Sequence, residues 1–317
     1  MKTTEIFTSQ LPVGEKLSIK RTRFQAKGKK SKKLKRISIV SGIHGDELEG
    51  QLVIYLLAKW LNENIDKLNA IVDIYPAVNP LGIDTITRSF PNYDVDLNRA
   101  FPGSDNEFLP GQVVHALAQD IKGSDIAIDI HSSNIFLREI PQIRINKEFS
   151  KKTLPLAREL NCDFIWIHDA VTVLEATFSH TLNSLGTKTL VVEMGVGMRL
   201  TKEYGQQLLI GILNLMKKQG MITCEETFKV KTPFSSLKGD VSYINAPKSG
   251  LFVPSLDHCD IIKKGDKIGE IVNPLTGEVL SELLAPNGGI LFTLREYPVV
   301  YEGSLLARIF GDKSEEN

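Results

Sequence analysis

The 317-residue sequence has few cysteines and no long apolar run. Its three cysteines, Cys162, Cys224 and Cys259, are widely spaced and form no CxxC pair. This argues against a disulfide framework or a cysteine–zinc cluster and indicates a reducing compartment, the cytoplasm. No apolar stretch approaches the roughly 20 residues that cross a bilayer, and residues 1–14 lack the apolar run of a secretory signal. We therefore expect a soluble protein with no membrane partner.

The sequence also lacks an excess of either charge. Lys+Arg and Asp+Glu number 38 each, and this balance argues against a nucleic acid or an anionic membrane as partner. One local exception is the lysine-rich run at residues 27–36, KGKKSKKLKR. Because no aromatic residues interleave with these lysines, we interpret the run as a solvated loop between two early strands rather than a phosphate-binding patch.

What is present is a globular composition, 42% hydrophobic and 24% charged, whose first two thirds alternate between two kinds of pattern. Short β-branched apolar runs predict buried strands at residues 37–42, 71–78, 125–133, 162–167 and 187–195. Helical periodicity falls between them, at residues 47–63, 110–121, 150–160 and 198–220. The alternation predicts an α/β domain with a mainly parallel or mixed sheet covered by helices.

The last third reads differently, with many Gly and Pro residues among short alternating strands at residues 228–310. We predict an α/β domain over residues 1–225 and a small all-β domain over residues 226–317. Residues 263–291 resemble the biotinyl/lipoyl-type barrel-sandwich. Carriers of that type have a lysine at the tip of their central hairpin, and the expected tip here, NPLTGE at residues 273–278, has none. We therefore expect no covalently attached cofactor.

The strongest local signal is SGIHGDELEG at residues 41–50, where an apolar strand ends in a turn of small residues. His44 and Glu47 stand three apart as a helix opens and can project to one side, offering an imidazole and a carboxylate to a divalent ion. Acidic residues also suit the first turn of a helix through its macrodipole. This segment alone leaves both interpretations open.

A second histidine favours the metal. His131 ends the buried-type strand of residues 125–133, and His44 also follows a strand. In open α/β sheets, ligand sites form beyond the carboxyl ends of the strands. Two histidines and a glutamate leave a fourth position for water, which is typical of catalytic zinc. The sequence thus predicts one zinc ion per chain, held by His44, Glu47 and His131.

Two further segments carry candidate site residues. Glu193 ends an apolar strand in VVEMG and is either a general base or a structural charge partner. Because other strands deliver His44 and His131 to the same edge, we favour the base. In DVDLNRAFPG, Asn98 and Arg99 could form a fork for a carboxylate, with an ordinary polar loop as the alternative.

In this order, HGDE, DLNR, the strand ending in His131 and VVEMG resemble the succinylglutamate desuccinylase/aspartoacylase family of the zinc carboxypeptidase-like hydrolases. The likeness covers about residues 37–220, and the all-β domain agrees with the C-terminal barrel of many members. The resemblance implies zinc ligands at His44, Glu47 and His131, a general base at Glu193, carboxylate binding by Asn98 and Arg99, and polarisation of the scissile carbonyl by Arg88.

One departure from the family pattern bears on the substrate. Aspartoacylases carry another arginine shortly before the catalytic glutamate, which binds the second carboxylate of aspartate. Residues 159–198 contain no arginine here, which argues against N-acetylaspartate. Arg138 and Arg144 could bind an acidic group instead, and surface roles are the alternative.

The sequence therefore predicts a zinc-dependent amidohydrolase, a deacylase that cleaves the amide bond of a small N-acyl amino acid or related amine. A zinc carboxypeptidase acting on short peptides is one alternative, although an all-β domain leaning over the site would block a long peptide. Tyr297 and Tyr301 of that domain could reach the site or simply pack. A non-catalytic metal-binding or partner-binding protein is the other alternative, against which Glu193 argues. The possibility of a homo-oligomer stays open.

Overall fold

The computed structural model describes residues 1–26, 28, 34–168 and 175–311. Most of the lysine-rich run at residues 27–36 lies outside the described residues. Within them, the α-helices are α1 (Glu49–Glu63), α2 (Pro80–Thr85), α3 (Leu109–Ile121), α4 (Ser150–Ala157), α5 (Phe178–Ser184) and α6 (Lys202–Lys218). In that part of the chain, no helix has both the length and the apolar character needed to cross a membrane.

The first eight strands belong to the α/β part of the chain. They are β1 (Lys2–Gln10), β2 (Lys16–Gln25), β3 (Arg36–Ser41), β4 (Ile71–Tyr75), β5 (Ile126–Ser132), β6 (Leu137–Asn146), β7 (Phe164–His168) and β8 (Lys188–Gly195). The five strands predicted from apolar runs correspond to β3, β4, β5, β7 and β8. The four predicted helices correspond to α1, α3, α4 and α6.

The remaining nine described strands follow α6. They are β9 (Phe234–Ser235), β10 (Asp240–Asn245), β11 (Gly250–Pro254), β12 (Ile261–Ile262), β13 (Lys267–Asn273), β14 (Glu278–Leu284), β15 (Gly289–Arg295), β16 (Val299–Val300) and β17 (Leu305–Gly311).

The main sheet is mixed, as the sequence predicts. Its principal strand order is β1-β2-β4-β3-β5-β8-β6-β15-β17-β10. The neighbours β4, β3, β5 and β8 run parallel to one another. Beside them β6 is antiparallel to β8, and β15 continues the sheet antiparallel to β6. The parallel strands therefore present their carboxyl ends along one edge.

Helices cover both faces of the parallel strands. On one face, Val53 and Leu57 of α1 and Ile212 of α6 are fully buried over alternate residues of β3, β5 and β8. On the other face, buried residues of α3 and α5, such as Val113 and Phe178, pack against the opposite set. Burial on both faces explains why these strands read as continuous apolar runs.

The C-terminal strands form the predicted all-β part. A four-stranded sheet, β14-β13-β11-β16, packs against β10, β15 and β17, with Phe252, Ile271 and Ile309 in the shared core. Because β15 pairs with β6, the C-terminal strands share hydrogen bonds with the α/β sheet. The hairpin tip between β13 and β14 lies where the sequence predicts it. The boundary at residues 225 and 226 and the absence of an attached cofactor stay predictions.

Candidate metal centre and active site

Three adjacent parallel strands bring the candidate residues to one edge of the sheet. His44 follows β3, His131 stands near the end of β5, and Glu193 stands near the end of β8. In the β5–β8 ladder His131 is the direct partner of Glu193. Because both residues lie on the same face of neighbouring strands, their side chains start out side by side.

The turn that carries His44 and Glu47 passes close to other backbone. A Cβ atom at Gly45 would overlap the backbone of Gly82 in α2, so glycine is required there. Helix α1 begins only at Glu49, so the expectation that Glu47 opens the helix is wrong by two residues. Glu47 instead belongs to the turn, and its Oε2 accepts a hydrogen bond from the Ser132 backbone N–H at 3.2 Å.

The three predicted ligands converge. His44 Nδ1 lies 2.8 Å from Glu47 Oε1, and His131 Nδ1 lies 2.8 Å from Glu47 Oε2. The two histidine Nδ1 atoms are 3.1 Å apart, and all three side chains are only 3% exposed. Within the described residues, this is the group of His, Cys, Asp and Glu side chains whose geometry could hold a metal ion.

Two aspartates hold the outer nitrogens of the histidines. His44 Nε2 lies 2.9 Å from Asp96 Oδ1, and His131 Nε2 lies 2.8 Å from Asp129 Oδ2. Because a carboxylate can only accept, each Nε2 must donate its proton. The neutral ring then turns the Nδ1 lone pair toward the centre, which is the usual arrangement around a metal-bound histidine.

The donor set fits a zinc ion. Two imidazole lone pairs and a carboxylate meet with no donor among them, and a cation removes the resulting repulsion. The ligand atoms around a tetrahedral zinc ion lie roughly 3.3 Å apart. The Nδ1 and carboxylate oxygen atoms here lie at similar separations, 2.8 and 3.1 Å. Arg88 Nη1 donates to Glu47 Oε1 and the Ser132 backbone N–H donates to Glu47 Oε2, and both contacts favour the charged form of this carboxyl. The carboxylate is thus available as a ligand.

The sequence interpretation missed Asp96 and Asp129. A signal for Asp129 was present, because a residue two positions before His131 on a strand points to the same face. Asp96 is the first residue of the DLNR motif, and only the fold reveals that it reaches His44.

Replacing Asp129 with asparagine should weaken metal binding by roughly 10- to 100-fold. The amide keeps the size of the carboxylate but loses the charge that polarises His131. Competition with a chelator measures the dissociation constant. Asp120→Asn is the matched control. Asp120 Oδ1 lies 2.8 Å from Arg21 Nη1, and this pair is not part of the candidate metal centre. Equal affinity in the Asp129 and Asp120 variants would contradict the role of Asp129.

Glu193 lies beside the metal-ligand group without belonging to it. Its side chain is 15% exposed, and its Oε1 lies 3.2 Å from Arg144 Nη1. Burial raises the pKa of Glu193 above its ordinary value, against the opposing charges of Arg144 and His131. A carboxylate with a raised pKa is suited to exchanging protons near neutrality.

Arg88 reaches the candidate metal centre. Its Nη1 donates to Glu47 Oε1 at 2.8 Å, and its Nη2 donates to Asp96 Oδ2 at 3.2 Å. The Arg88 side chain is 39% exposed. A guanidinium that touches a candidate ligand and still meets solvent can contact a bound substrate.

Asn98 and Arg99 are placed less directly. Asn98 Oδ1 accepts a hydrogen bond from the Phe178 backbone N–H at 2.9 Å, which ties the motif to α5. Arg99 is exposed, and its Nη1 donates to the Asn98 carbonyl at 2.8 Å. The carboxylate fork of Asn98 and Arg99 stays a prediction.

The other arginines and tyrosines of interest differ in position. Arg144 contacts Glu193, whereas Arg138 lines a cavity of about 220 Å³ with residues of the all-β part, among them His258. The Tyr297 ring packs against Phe136 at 5.8 Å, and Tyr301 is 75% exposed. Tyr297 therefore packs beside the loop that follows His131.

The fold and site define a mixed α/β protein with a candidate metal centre at the strand ends. A sequence comparison with curated proteins finds no match. The family model described as "Succinylglutamate desuccinylase/Aspartoacylase catalytic domain" matches residues 33–218. The chain belongs to this family, as its motifs predict.

Solved structures agree over nearly the whole chain. A succinylglutamate desuccinylase/aspartoacylase from Rhodobacter sphaeroides is 24% identical with a TM-score of 0.79, covering 96% of this chain and 94% of its own. The product-bound ectoine utilization protein EutE (DoeB) from Ruegeria pomeroyi is 17% identical with a TM-score of 0.80, covering 96% and 92%. An aspartoacylase family protein from Mesorhizobium loti is 20% identical with a TM-score of 0.77, covering 98% and 93%. At these identities the structures establish the fold.

Proposed function

We propose that the protein is a zinc-dependent amidohydrolase that removes the acyl group from a small N-acyl amino acid or related amine. The convergence of His44, Glu47 and His131 beside Glu193 carries the proposal. Three protein ligands with an adjacent carboxylate of raised pKa are typical of a hydrolytic zinc site. Membership in a family named for a desuccinylase and an aspartoacylase supports the reaction class.

The position of each residue at the site indicates its role in the proposed reaction. When bound, a zinc ion supplies Lewis acidity and lowers the pKa of water. Glu193 takes a proton from the attacking water and later passes it to the leaving amine, a contribution of roughly 10²–10⁴ in rate. Arg88 stabilises the negative charge that develops on the carbonyl oxygen. The hydrogen bond from Arg88 to Glu47 supports this role.

The C-terminal part favours a small substrate over a peptide. The backbone N–H groups of Glu296 and Tyr297 donate to the Phe136 carbonyl at 2.8 and 3.3 Å. Phe136 belongs to the loop after His131, so the all-β part borders the candidate site. A wall at this position leaves less room for a long chain beyond the scissile bond.

Asn98 and Arg99 are proposed to bind the carboxylate of the substrate. Arg99 is exposed to solvent, and Asn98 is held by the backbone of Phe178. We expect Arg99→Lys to raise KM about tenfold and leave kcat nearly unchanged, because an ammonium group cannot reproduce a bidentate contact. Steady-state kinetics on the best substrate measures both constants. A lower kcat at constant KM would contradict a binding role.

A substrate panel tests the reaction. Zinc-loaded protein is incubated with N-acetyl and N-succinyl amino acids, N-acetylated diamines and short peptides, and the released amine is quantified. We expect hydrolysis of at least one N-acyl amino acid or amine, with N-acetylaspartate a poor substrate. Release of C-terminal residues from peptides alone would favour a carboxypeptidase. Bound zinc without hydrolysis across the panel would favour a non-catalytic binding protein.

A further inference from the structure

A chain of four charged side chains connects Glu193 to the C-terminal strands. Glu193 Oε1 lies 3.2 Å from Arg144 Nη1, and Arg144 Nη2 lies 2.8 Å from Glu139 Oε2. Glu139 Oε1 accepts in turn from Arg308 Nη1 at 2.5 Å. Negative and positive charges alternate along this chain, which begins on β8, crosses β6 and ends on β17.

Glu139 is the deepest member of the chain. It is 1% exposed, so its carboxylate depends on its partners for compensation. Arg144 reaches it from the same strand, and the hydroxyl of Thr293 on β15 lies 3.4 Å from its Oε1. A register shift in the β6–β8 ladder between Glu139 and Gln142 is the irregularity that accompanies this arrangement.

Both arginines also lie over one aromatic ring. The guanidinium carbons of Arg144 and Arg308 lie 5.6 and 5.4 Å from the centroid of the Trp166 ring. Cation–π contacts of this kind restrict where a guanidinium can move. The side chains of Arg144 and Arg308 are 29% and 16% exposed.

We infer that Arg308 is a positioning residue for Glu193, acting through Glu139 and Arg144. The inference rests on the proposed role of Glu193 as proton acceptor. It assigns the C-terminal strands a part in catalysis that is separate from bordering the substrate site.

The physical reason is competition between two carboxylates for one guanidinium. Arg144 faces both Glu139 and Glu193. While Arg308 compensates Glu139, Arg144 can be shared with Glu193. Without Arg308, the buried Glu139 carboxylate draws Arg144 toward itself, because an undercompensated buried charge is costly. Glu193 then loses the contact that fixes its orientation.

The experiment compares Arg308→Gln with Arg308→Lys in the full-length, zinc-loaded protein. We expect Arg308→Gln to lower kcat by on the order of 10- to 100-fold, because small misplacements of a reacting group have effects of that size. KM and zinc content should stay near those of the unchanged protein, since Arg308 touches none of the three ligands. Arg308 contacts Glu139 through Nη1, so Arg308→Lys keeps a cation near Glu139 and should restore kcat to within about threefold. Equal losses in the two variants would overturn the inference.

Arg23→Gln is the matched control. Arg23 on β2 forms a similarly buried pair with Asp73 on β4, at 2.6 Å and with 27% of the Arg23 side chain exposed. Its loss should lower the melting temperature and leave kcat unchanged. An Arg23 variant with the same kcat loss as Arg308→Gln would show a general loss of stability and overturn the inference.

Two readouts separate this inference from the proposed function. In a Glu193→Gln background, Arg308→Gln should lower the residual kcat by less than about twofold, because the two changes act on one step. If Arg308→Gln lowered kcat in this background by the same factor as in the unchanged protein, the inference would be overturned. A crystal structure of Arg308→Gln should show the Arg144–Glu193 contact broken, and a contact retained near 3.2 Å would overturn it without any activity measurement. Normal kcat in Glu193→Gln alone would instead end the proposed base.

Discussion

Glu193→Gln is expected to retain its zinc and its fold while losing on the order of 10²-fold or more of its kcat. Glutamine matches glutamate in size and can still accept a hydrogen bond from Arg144. In the unchanged protein Arg144 Nη1 lies 3.2 Å from Glu193 Oε1. It cannot accept a proton from the attacking water. Because Glu193 is outside the metal-ligand group, metal binding and chemistry should separate in this variant.

The competing interpretation makes Glu193 a structural partner of Arg144. In that case Glu193→Gln would lower the melting temperature and keep much of its turnover, because only an ion pair is lost. Zinc content, melting temperature and kcat are measured on one preparation. Asp120→Asn provides the control, because it removes a carboxylate of α3 that pairs with Arg21 of β2. Near-normal kcat in Glu193→Gln would remove the base assignment.

Strands that are buried on both faces could be predicted from the sequence. Helices cover both faces of β3, β5 and β8, so the sequences of these strands are nearly continuous apolar runs. His131 and Glu193 stand out because they interrupt that apolar pattern at the strand ends. The metal-ligand group could be inferred for the same reason, since parallel neighbours end at one edge.

β6 could not be predicted from its own residues. Its sequence, LREIPQIRIN, contains a proline and three charged side chains, which argue against a strand in the middle of a sheet. The charges are tolerated because Glu139 and Arg144 pair with each other, and Glu139 also pairs with Arg308. Arg308 is 169 residues from Glu139 in the sequence. Local periodicity carries no information about a contact at that separation.

The half-exposed ribbon of β1 and β2 shows a related difficulty. Polar residues alternate along it and pair across the ladder, for example Lys16 with Glu5 at 2.7 Å. Nothing in such a pattern distinguishes an edge ribbon from a polar leader segment. The sequence indicated one strand before the lysine-rich run, without bounds, and the second strand of the ribbon was not predicted.

His131→Ala is expected to reduce bound zinc from about one ion per chain to below roughly 0.1 after dialysis against a chelator. The change removes one of three protein ligands and also leaves Asp129 without its partner at 2.8 Å. Hydrolysis should become undetectable, because no other described group of ligand residues can replace the site. His44→Ala should behave alike, since His44 also faces the centre through Nδ1.

Thermal stability provides a test of the same site that does not depend on activity. A ligand that binds only the folded state raises the melting temperature as its concentration increases. Added zinc should therefore stabilise the unchanged protein and leave His131→Ala unaffected. His115→Ala is the control, because His115 lies on α3 and its Nδ1 is 3.1 Å from the Gly103 carbonyl oxygen. Undiminished zinc in folded His44→Ala and His131→Ala variants would show that the ion, if bound, lies elsewhere.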